Sequence, residues 1–373
     1  MTLHIAGMGW ITPLGRGVDP VWEKLLRGDE GSAQSISNGE KTKAYSGFLV
    51  PNEALKDLSP HPRLRRASAI SRYAAAAGLD AIANAQSRTP KIDMDRVALI
   101  FAASNGGVNY TKRFYHGIVE SGAQSASPLL FPETVFNAPA SHLAAILGIN
   151  GASYTIVGDG AVGILAIKMA SNLLQNQSLD SCLVVAAEEA DWILCDAYRK
   201  WRLLKAQPPI APFHRPPRGT ILSEGAGALL LARAGAVKID SIHAGGNFSH
   251  QQKASEIVGR ILHDLRDDNA CIIASANGTF VDLAEVITIA KQSPDCMVYS
   301  PKPALGESVG ASAVWQVVVA AQALMEKRLP PMVHAPKDAG LRFPDGSNGK
   351  VGPSAIVLSC GLNQQAAGLR LSI

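Results

Sequence analysis

The sequence predicts an α/β fold in which layers of β-sheet and α-helix alternate. Two observations predict this class: short, almost continuously apolar segments that are typical of strands buried on both faces, and Ala-rich helical segments between them. Of the 373 residues, 47% are hydrophobic and 18% are charged. That composition allows a large core and excludes a disordered chain.

Ten strands are predicted, in two sets of five. The first set covers residues 3–7, 97–102, 153–157, 182–187 and 226–232, and the second covers 237–242, 271–274, 297–300, 355–359 and 369–373. Helices are predicted over residues 67–85, 163–174, 254–265 and 311–327. Each set contains a strand, a Gly-rich turn and an Ala-rich helix, so we expect two similar halves, residues 1–233 and 234–373.

Composition and charge restrict the function. The net charge is +4 (35 Lys and Arg minus 31 Asp and Glu), which indicates no polyanionic partner. Five cysteines without a Cys-x-x-Cys spacing predict neither disulfides nor a zinc site, and we expect no cofactor. No apolar run approaches the roughly 20 residues of a membrane helix. The N-terminal segment is not typical of a signal peptide, so a cytoplasmic protein is expected.

Two glycine motifs each have a functional and a structural interpretation. Gly158 to Gly163 reads G-x-G-x-x-G, typical of dinucleotide binding if Glu188 holds a ribose, or of a tight strand-to-helix turn. Gly306 to Gly310 reads G-x-S-x-G, a nucleophile-elbow pattern. That motif needs a strand running directly into it and a later histidine. Here prolines intervene and only His334 follows, which favours the start of a helix.

Two basic clusters stand out in the sequence. They are Arg63, Arg65, Arg66 and Arg72, and Arg199, Lys200, Arg202 and Lys205. They are either solvated surface or a docking surface for an acidic partner or a phosphate. Aromatic residues do not interleave with them in a way that suggests base stacking, so no nucleic-acid partner is expected.

Several segments, in order along the chain, resemble β-ketoacyl synthases of the thiolase fold. They are residues 5–15 with a Thr-Pro-Leu-Gly turn, residues 131–151, Pro-Phe-His-Arg at 212–215 with Gly-Ala-Gly-Ala at 225–228, Asn-Gly-Thr at 277–279 with Asp282 and Glu285, and Lys302 with Gly306 and Gly310. The resemblance covers nearly the whole chain. It implies a five-layered α/β/α/β/α thiolase-like fold with two related halves.

The resemblance breaks at the residues that carry the family's chemistry. The family uses a thiolate to accept an acyl group, and two histidines that assist malonyl decarboxylation and hold the enolate oxygen. Aligning Gly-Ala-Ser at 151–153 with the family's Gly-Pro-Ser places the nucleophile position at Gly160 and the histidine positions at Asn277 and Glu307. Gly160 cannot carry an acyl group, Asn277 cannot exchange a proton near neutral pH, and an anionic Glu307 opposes an enolate.

Other residues of the same pocket can also be compared with the family's pattern. Lys302 keeps the family's lysine, and we expect it to pair with Glu307 in place of the reaction centre. The family's Gly-Phe-Gly-Gly loop, which helps form the oxyanion hole, corresponds to the segment after Cys360. Cys360, Gly361, Leu362 and Thr279 are therefore expected to contact a substrate. Cys360 is also the best-placed substitute nucleophile, since Cys182, Cys195, Cys271 and Cys296 are expected to be core residues.

These departures predict a catalytically silent ketosynthase homologue. Its expected role resembles that of chain-length factors, which pair with an intact ketosynthase and shape its acyl tunnel, in fatty acid, polyketide or polyene biosynthesis. Chain-length factors commonly carry glutamine where this chain has Gly160. The family implies a homodimer or a heterodimer with an intact ketosynthase, paired through the strand at residues 182–187, and an acyl carrier protein docked on the basic clusters.

Two other hypotheses remain open at the level of sequence. One is a different thioester-using acyltransferase or hydrolase on the same fold, built around Glu307, Asn277 and Lys302. The other is a dinucleotide-binding oxidoreductase, which depends on the glycine motif that begins at Gly158.

Overall fold

A computed structural model of the chain describes residues 2–38, 44–88 and 91–373. Within these residues it contains strands β1 to β14 and helices α1 to α10. The strands are β1 (Leu3–Thr12), β2 (Gly15–Arg16), β3 (Ala33–Ser37), β4 (Ala44–Phe48), β5 (Val97–Ala103), β6 (Ser153–Val157), β7 (Ser181–Glu188), β8 (Leu222–Ser223), β9 (Gly225–Ala232), β10 (Val237–Asn247), β11 (Ala270–Ile273), β12 (Val298–Tyr299), β13 (Ser354–Cys360) and β14 (Gln365–Ser372). The helices are α1 (Val18–Leu26), α2 (Ala69–Gln86), α3 (Val108–Ser121), α4 (Ala138–Leu147), α5 (Val162–Leu173), α6 (Trp192–Lys200), α7 (Ala254–Leu265), α8 (Phe280–Gln292), α9 (Lys302–Leu305) and α10 (Ser312–Glu326).

The main sheet has eleven strands and two halves. Its order is β12-β11-β13-β14-β10-β1-β9-β7-β5-β6, with β2 paired beside β1, and β3, β4 and β8 form a separate sheet. All ten predicted strands are present. The halves meet where β1 and β10 pair antiparallel, with Leu3 opposite Ile239. Because this pairing makes the sheet continuous, a boundary at residues 233/234 stays a prediction.

Helices fill three layers around the two half-sheets. Helix α5 contacts β5 and β7 on one side and β10 and β14 on the other, and α10 contacts β9 and β13, so both lie in the middle. Helices α2 and α4 cover the outer face of the first half, and α7, with α8 beside it, covers the second. This is the five-layered thiolase-like arrangement. It leaves β5 and β7 buried at every residue, which explains their unbroken apolar sequences.

Small side chains allow the layers to approach closely. Gly7 and Gly9 of β1 face α2, where a Cβ atom would lie only 2.2 Å from the carbonyl oxygens of Ala81 and Ala77. Any larger residue at these two positions would push the helix from the sheet. Of the helices in the described ranges, none combines the length and apolar character needed to cross a bilayer.

The strand order corrects one expectation about dimerisation. Residues 182–187 were expected to pair with a second subunit, but β7 hydrogen-bonds to β5 on one side and β9 on the other. It has no free edge, so that expectation is wrong. The strands at the two ends of the order are β12 and β6, and β6 is the end strand of the first half. Its Tyr154 and Val157 side chains are 42% and 50% exposed.

Candidate functional site

A buried polar cluster lies where β11 leads into α8 and α9 leads into α10. Asn277 precedes α8, Lys302 begins α9, and Glu307 follows α9. The Asn277 Nδ2 amide and the Lys302 Nζ ammonium each donate to Glu307 Oε2 at 2.6 Å. The structure therefore contains the ion pair expected from the sequence, and it brings Asn277 and Glu307, which the resemblance assigns to the family's histidine positions, into direct contact.

The carboxylate of Glu307 is saturated with donors. Its Oε1 accepts from the Ser312 hydroxyl at 2.7 Å and from the Val309 N–H at 3.0 Å. Burial alone would raise the pKa of Glu307, but the Lys302 ammonium and the hydrogen bonds from Asn277 and Ser312 outweigh burial and lower it. Glu307 is thus an anion at neutral pH, and it can accept a proton only by giving up these partners.

Asn277 is held in one orientation. Thr279 donates to Asn277 Oδ1 through its N–H at 3.2 Å and its hydroxyl at 2.6 Å, so the Nδ2 end faces Glu307. Gly278 has φ 85°, and a Cβ there would lie 2.6 Å from the Gly219 carbonyl oxygen. Asp282, in the first turn of α8, accepts the N–H groups of Asn277 and Gly278. The segment is therefore rigid, and Thr279 serves it as an orienting and helix-capping residue.

A side chain at Gly160 would clash with the backbone of Gly361. A Cβ built on this glycine would lie 2.9 Å from Gly361 Cα and 3.6 Å from Gly361 N. The contact is backed by Ser359, whose hydroxyl donates to the Gly160 carbonyl at 2.9 Å. The β13–β14 connection thus occupies the space into which a nucleophile at residue 160 would project.

Asp159 links the β13–β14 connection to the start of α5 through hydrogen bonds. Its Oδ2 accepts the N–H of Asn363 at 2.8 Å and that of Gln365 at 3.3 Å. A Cβ on Gly361 would lie 1.9 Å from Asp159 Oδ2, so only glycine allows this approach. Sequence reasoning missed Asp159 and Ser312. Asp159 and Ser312 carry no distinctive signal in the sequence, and only the fold brings them next to Gly361 and Glu307.

Cys360 is not placed to act as a nucleophile. It is 1% exposed, and burial raises the pKa of its thiol well above the usual value, which keeps it neutral. Its N–H donates to Ser275 Oγ at 2.9 Å. Of the four residues expected to contact a substrate, Leu362 borders a surface cavity of about 540 Å³. Cys360, Gly361 and Thr279 are buried packing or capping residues. The other four cysteines are buried and free, as expected for core residues.

The two glycine motifs turn out to be structural turns. Glu188 was a candidate ribose ligand, but its Oε2 accepts the N–H groups of Ser104 and Gly310, and its Oε1 accepts that of Asn105. This buried carboxylate is not available to a ribose, so that assignment is wrong. In the second motif, Ser308 lies between α9 and α10 and is fully buried. His334 pairs instead with Glu30 at 2.7 Å. The structure therefore supplies no nucleophile elbow.

The first basic cluster is exposed. Arg63, Arg65, Arg66 and Arg72 lie along the turns that lead into α2 and in its first turn. The cluster continues onto α3, because the Tyr110 hydroxyl donates to the Arg66 carbonyl at 2.8 Å and the Arg113 guanidinium lies 5.3 Å from the centre of the Tyr110 ring.

The second basic cluster is partly engaged within the chain. Lys200 Nζ pairs with Asp196 at 2.9 Å, and the Arg199 guanidinium lies 5.8 Å from the centre of the Tyr45 ring. Arg202 follows α6 and is exposed. Lys205 Nζ donates to the Pro209 carbonyl at 2.6 Å. This cluster therefore offers less uncommitted charge than its sequence suggests.

Comparison with known proteins identifies the protein family. The chain matches the β-ketoacyl synthase N-terminal domain over residues 2–236 and the C-terminal domain over residues 233–336. It belongs to the β-ketoacyl synthase family. It is 23% identical over 363 residues to 3-oxoacyl-[acyl-carrier-protein] synthase 2 of Vibrio cholerae, covering 88% of this chain and 87% of that protein.

Solved structures confirm the fold. The chain is similar to the ishigamide ketosynthase/chain length factor, with a TM-score of 0.88, 18% identity and coverage of 100% of this chain and 98% of the other. A type II polyketide synthase acyl-carrier protein in complex with its ketosynthase gives a TM-score of 0.82, 16% identity and coverage of 100% and 99%. At these identities the likeness establishes the thiolase-like fold.

Proposed function

We propose that this chain is a catalytically silent β-ketoacyl synthase homologue that acts as the partner subunit of an active ketosynthase, as a chain-length factor does. The observation that carries the proposal is the contact between Gly160 and Gly361. Condensation needs a side chain at the nucleophile position to hold the acyl group. Residue 160 has none, and a Cβ built there would lie only 2.9 Å from Gly361 Cα, so a side chain would require the β13–β14 connection to move.

The other half of the reaction centre supports the same proposal. Decarboxylation generates an enolate, which needs donors and positive charge directed at its oxygen. Here the amide of Asn277 and the ammonium of Lys302 are both directed at Glu307 instead. A Glu307-centred acyltransferase or hydrolase is disfavoured by the same contacts, because all three side chains are buried and bound to one another.

Two experiments test silence and partnership separately. The purified chain, incubated with acyl and malonyl thioesters, should give no condensation product and no acyl adduct by intact-protein mass spectrometry. An intact synthase from a fatty acid, polyketide or polyene pathway serves as the positive control. Co-expression with such a synthase should yield a one-to-one complex by size exclusion. An acyl adduct, or turnover by the chain alone, would contradict the proposal.

We propose that the partner subunit pairs along β6. This strand lies at the end of the sheet order and carries the exposed Tyr154 and Val157 side chains. An exposed strand edge with apolar side chains is suited to strand pairing with another chain. The printed name of one structural neighbour pairs a ketosynthase with a chain length factor, which supports this kind of partner. A cytoplasmic location is also proposed, and it fits the five free cysteines.

An acyl carrier protein is the second proposed partner, docked on the exposed arginines before α2. Reversing Arg65 and Arg66 to Glu should weaken binding of an acidic carrier protein, more strongly at low salt than at high salt. Arg88→Glu with Lys91→Glu is a matched control of the same charge change, because both residues are exposed but follow the far end of α2. Equal loss of binding in both variants would assign the effect to net charge rather than to docking.

A further inference from the structure

A cavity of about 460 Å³ lies beside the segment from Gly158 to Asp159, next to residue 160. Its walls come from α6, from the turn after β5, from the end of β10 and from the β13–β14 connection. The role of a silent partner subunit gives this cavity no task. A hydroxyl group that opens onto it, however, has no hydrogen-bond partner.

The hydroxyl belongs to Tyr198 of α6, which is 6% exposed. Among the described residues no group hydrogen-bonds to this oxygen, and it is not fully enclosed, so it reaches the cavity that Tyr198 lines. Burial raises the pKa of Tyr198. The carboxylates of Asp159, Glu188 and Glu307 raise this pKa further, so the hydroxyl keeps its proton. A donor in such a buried position without an acceptor indicates a partner that completes the site.

Uncharged polar side chains line the same cavity. They are Asn105, Asn247 and Asn363, whose carboxamide groups make no hydrogen bonds within the part of the chain that the structure describes. Each carboxamide offers two donors and an acceptor. Together with the Tyr198 hydroxyl, they can bind several hydroxyl groups of one ligand.

The cavity presents no charge to a ligand. Among the described residues that line it, Asp159 is the acid, and none is Lys, Arg or His. Asp159 Oδ2 accepts the N–H groups of Asn363 and Gln365, and Asp159 Oδ1 is fully enclosed. A charged ligand would therefore lose its hydration here without gaining a counter-charge. The lining favours an uncharged ligand.

An exposed indole ring forms the rim of the cavity. Trp201 is 59% exposed, and its ring centre lies 5.4 Å from that of Tyr198, with 65° between the ring planes. Aromatic surface thus lies beside the unpartnered hydroxyl. A sugar ring matches this arrangement, because it combines an apolar face of C–H groups with hydroxyl groups around its edge.

We propose that this cavity binds a small neutral sugar. The Tyr198 hydroxyl donates to a sugar oxygen, the asparagine carboxamides bind neighbouring sugar hydroxyls, and the C–H face of the ring packs against Trp201. The proposal goes beyond a silent partner subunit, and it does not depend on that role.

The test uses the methyl β-glycosides of glucose, galactose and mannose as probes, on the full chain, by saturation-transfer NMR and titration. Cyclohexanol keeps a six-membered ring with one hydroxyl, and methyl β-glucuronide adds a carboxylate to the sugar ring. At least one glycoside should bind at a single site, and neither analogue should bind in the same concentration range.

Tyr198→Phe removes only the unpartnered hydroxyl, so the fold should be retained and glycoside binding should weaken about fivefold to tenfold. Tyr115→Phe is the matched control, because Tyr115 is exposed on α3 and lies outside the cavity. It should leave binding unchanged. Trp201→Leu, at an exposed position, should also weaken binding without affecting folding.

Three results would overturn the proposal: no binding of any of the glycosides, equal binding of cyclohexanol, or unchanged binding in Tyr198→Phe. If Tyr198→Phe does not fold, the comparison of the probes together with Trp201→Leu decides. These measurements depend neither on condensation nor on a protein partner, so their failure would leave the proposed function untouched.

Discussion

Removing the Lys302 ammonium should destabilise the chain more than its single ion pair suggests. Lys302 and Glu307 are 3% and 2% exposed, so Lys302→Met leaves Glu307 as a buried anion with only neutral donors. Breaking one partner of a buried pair costs about 3–5 kcal/mol. We expect a loss of this size in the free energy of unfolding, measured by urea titration at pH 8 and fixed protein concentration.

A second substitution separates the charge from the packing. Glu307→Gln removes the anion, and a glutamine can still accept from Asn277, while the Ser312 hydroxyl reverses to act as acceptor. Only the bond from Val309 N–H is lost. The double variant Lys302→Met, Glu307→Gln should therefore be more stable than Lys302→Met alone. The exposed pair of Arg27 and Asp29 is the control, and Asp29→Asn should change stability by at most about 0.5 kcal/mol.

The pH dependence gives an independent check. In the wild type the pKa of Glu307 lies below 4.5, so its contribution to stability is present above that pH and is lost as the pH falls through its folded value. In Lys302→Met, burial is no longer opposed by the ammonium, and the pKa should rise. The deficit of this variant should then shrink from pH 8 to pH 5. A deficit below about 1 kcal/mol at pH 8, or one that is independent of pH, would refute a buried anion held by Lys302.

Three further predictions follow from individual contacts. Gly160→Cys should form no acyl adduct and should unfold at lower urea than the wild type, because its Cβ meets Gly361 Cα at 2.9 Å; a stable adduct would contradict this. Burial raises the pKa of Glu285 to about 7, so its stabilising contribution is lost as the pH rises from 4.5 to about 7, and Glu285→Gln should reduce the fall in unfolding free energy across that range. Val157→Lys, at the exposed edge strand, should abolish co-purification with an intact synthase while leaving the thermal midpoint unchanged.

Much of the fold could be predicted from local patterns. Strands such as β5 and β7 are buried on both faces, so their apolar runs are unambiguous. Helix α3 was not predicted, because its sequence is rich in aromatic and β-branched residues of low helix propensity and it buries none of its residues in this chain. The dimer edge was misplaced for a different reason. It was inferred from the family resemblance, whereas the strand order that places β7 inside the sheet depends on long-range pairing that the sequence does not show.

The candidate site, like the fold, could be predicted only in part from the sequence. The ion pair of Lys302 and Glu307 could be anticipated, because the resemblance places both residues in one pocket, where opposite charges should pair. The close approach of the β13–β14 connection to Gly160 could not be anticipated, because it depends on how that connection packs against α5. That approach is fixed by Asp159, whose partners lie about two hundred residues further along the chain.

The altered positions are physically interdependent. A histidine at residue 307 would leave the buried Lys302 without its ion-pair partner, and a cysteine at residue 160 would collide with Gly361. Moving Gly361 away would in turn break the N–H bonds that hold Asp159 to the same connection. Each reversion taken alone should therefore cost stability before it restores any chemistry. Restoring condensation under the proposed silence would therefore need several coordinated substitutions rather than one.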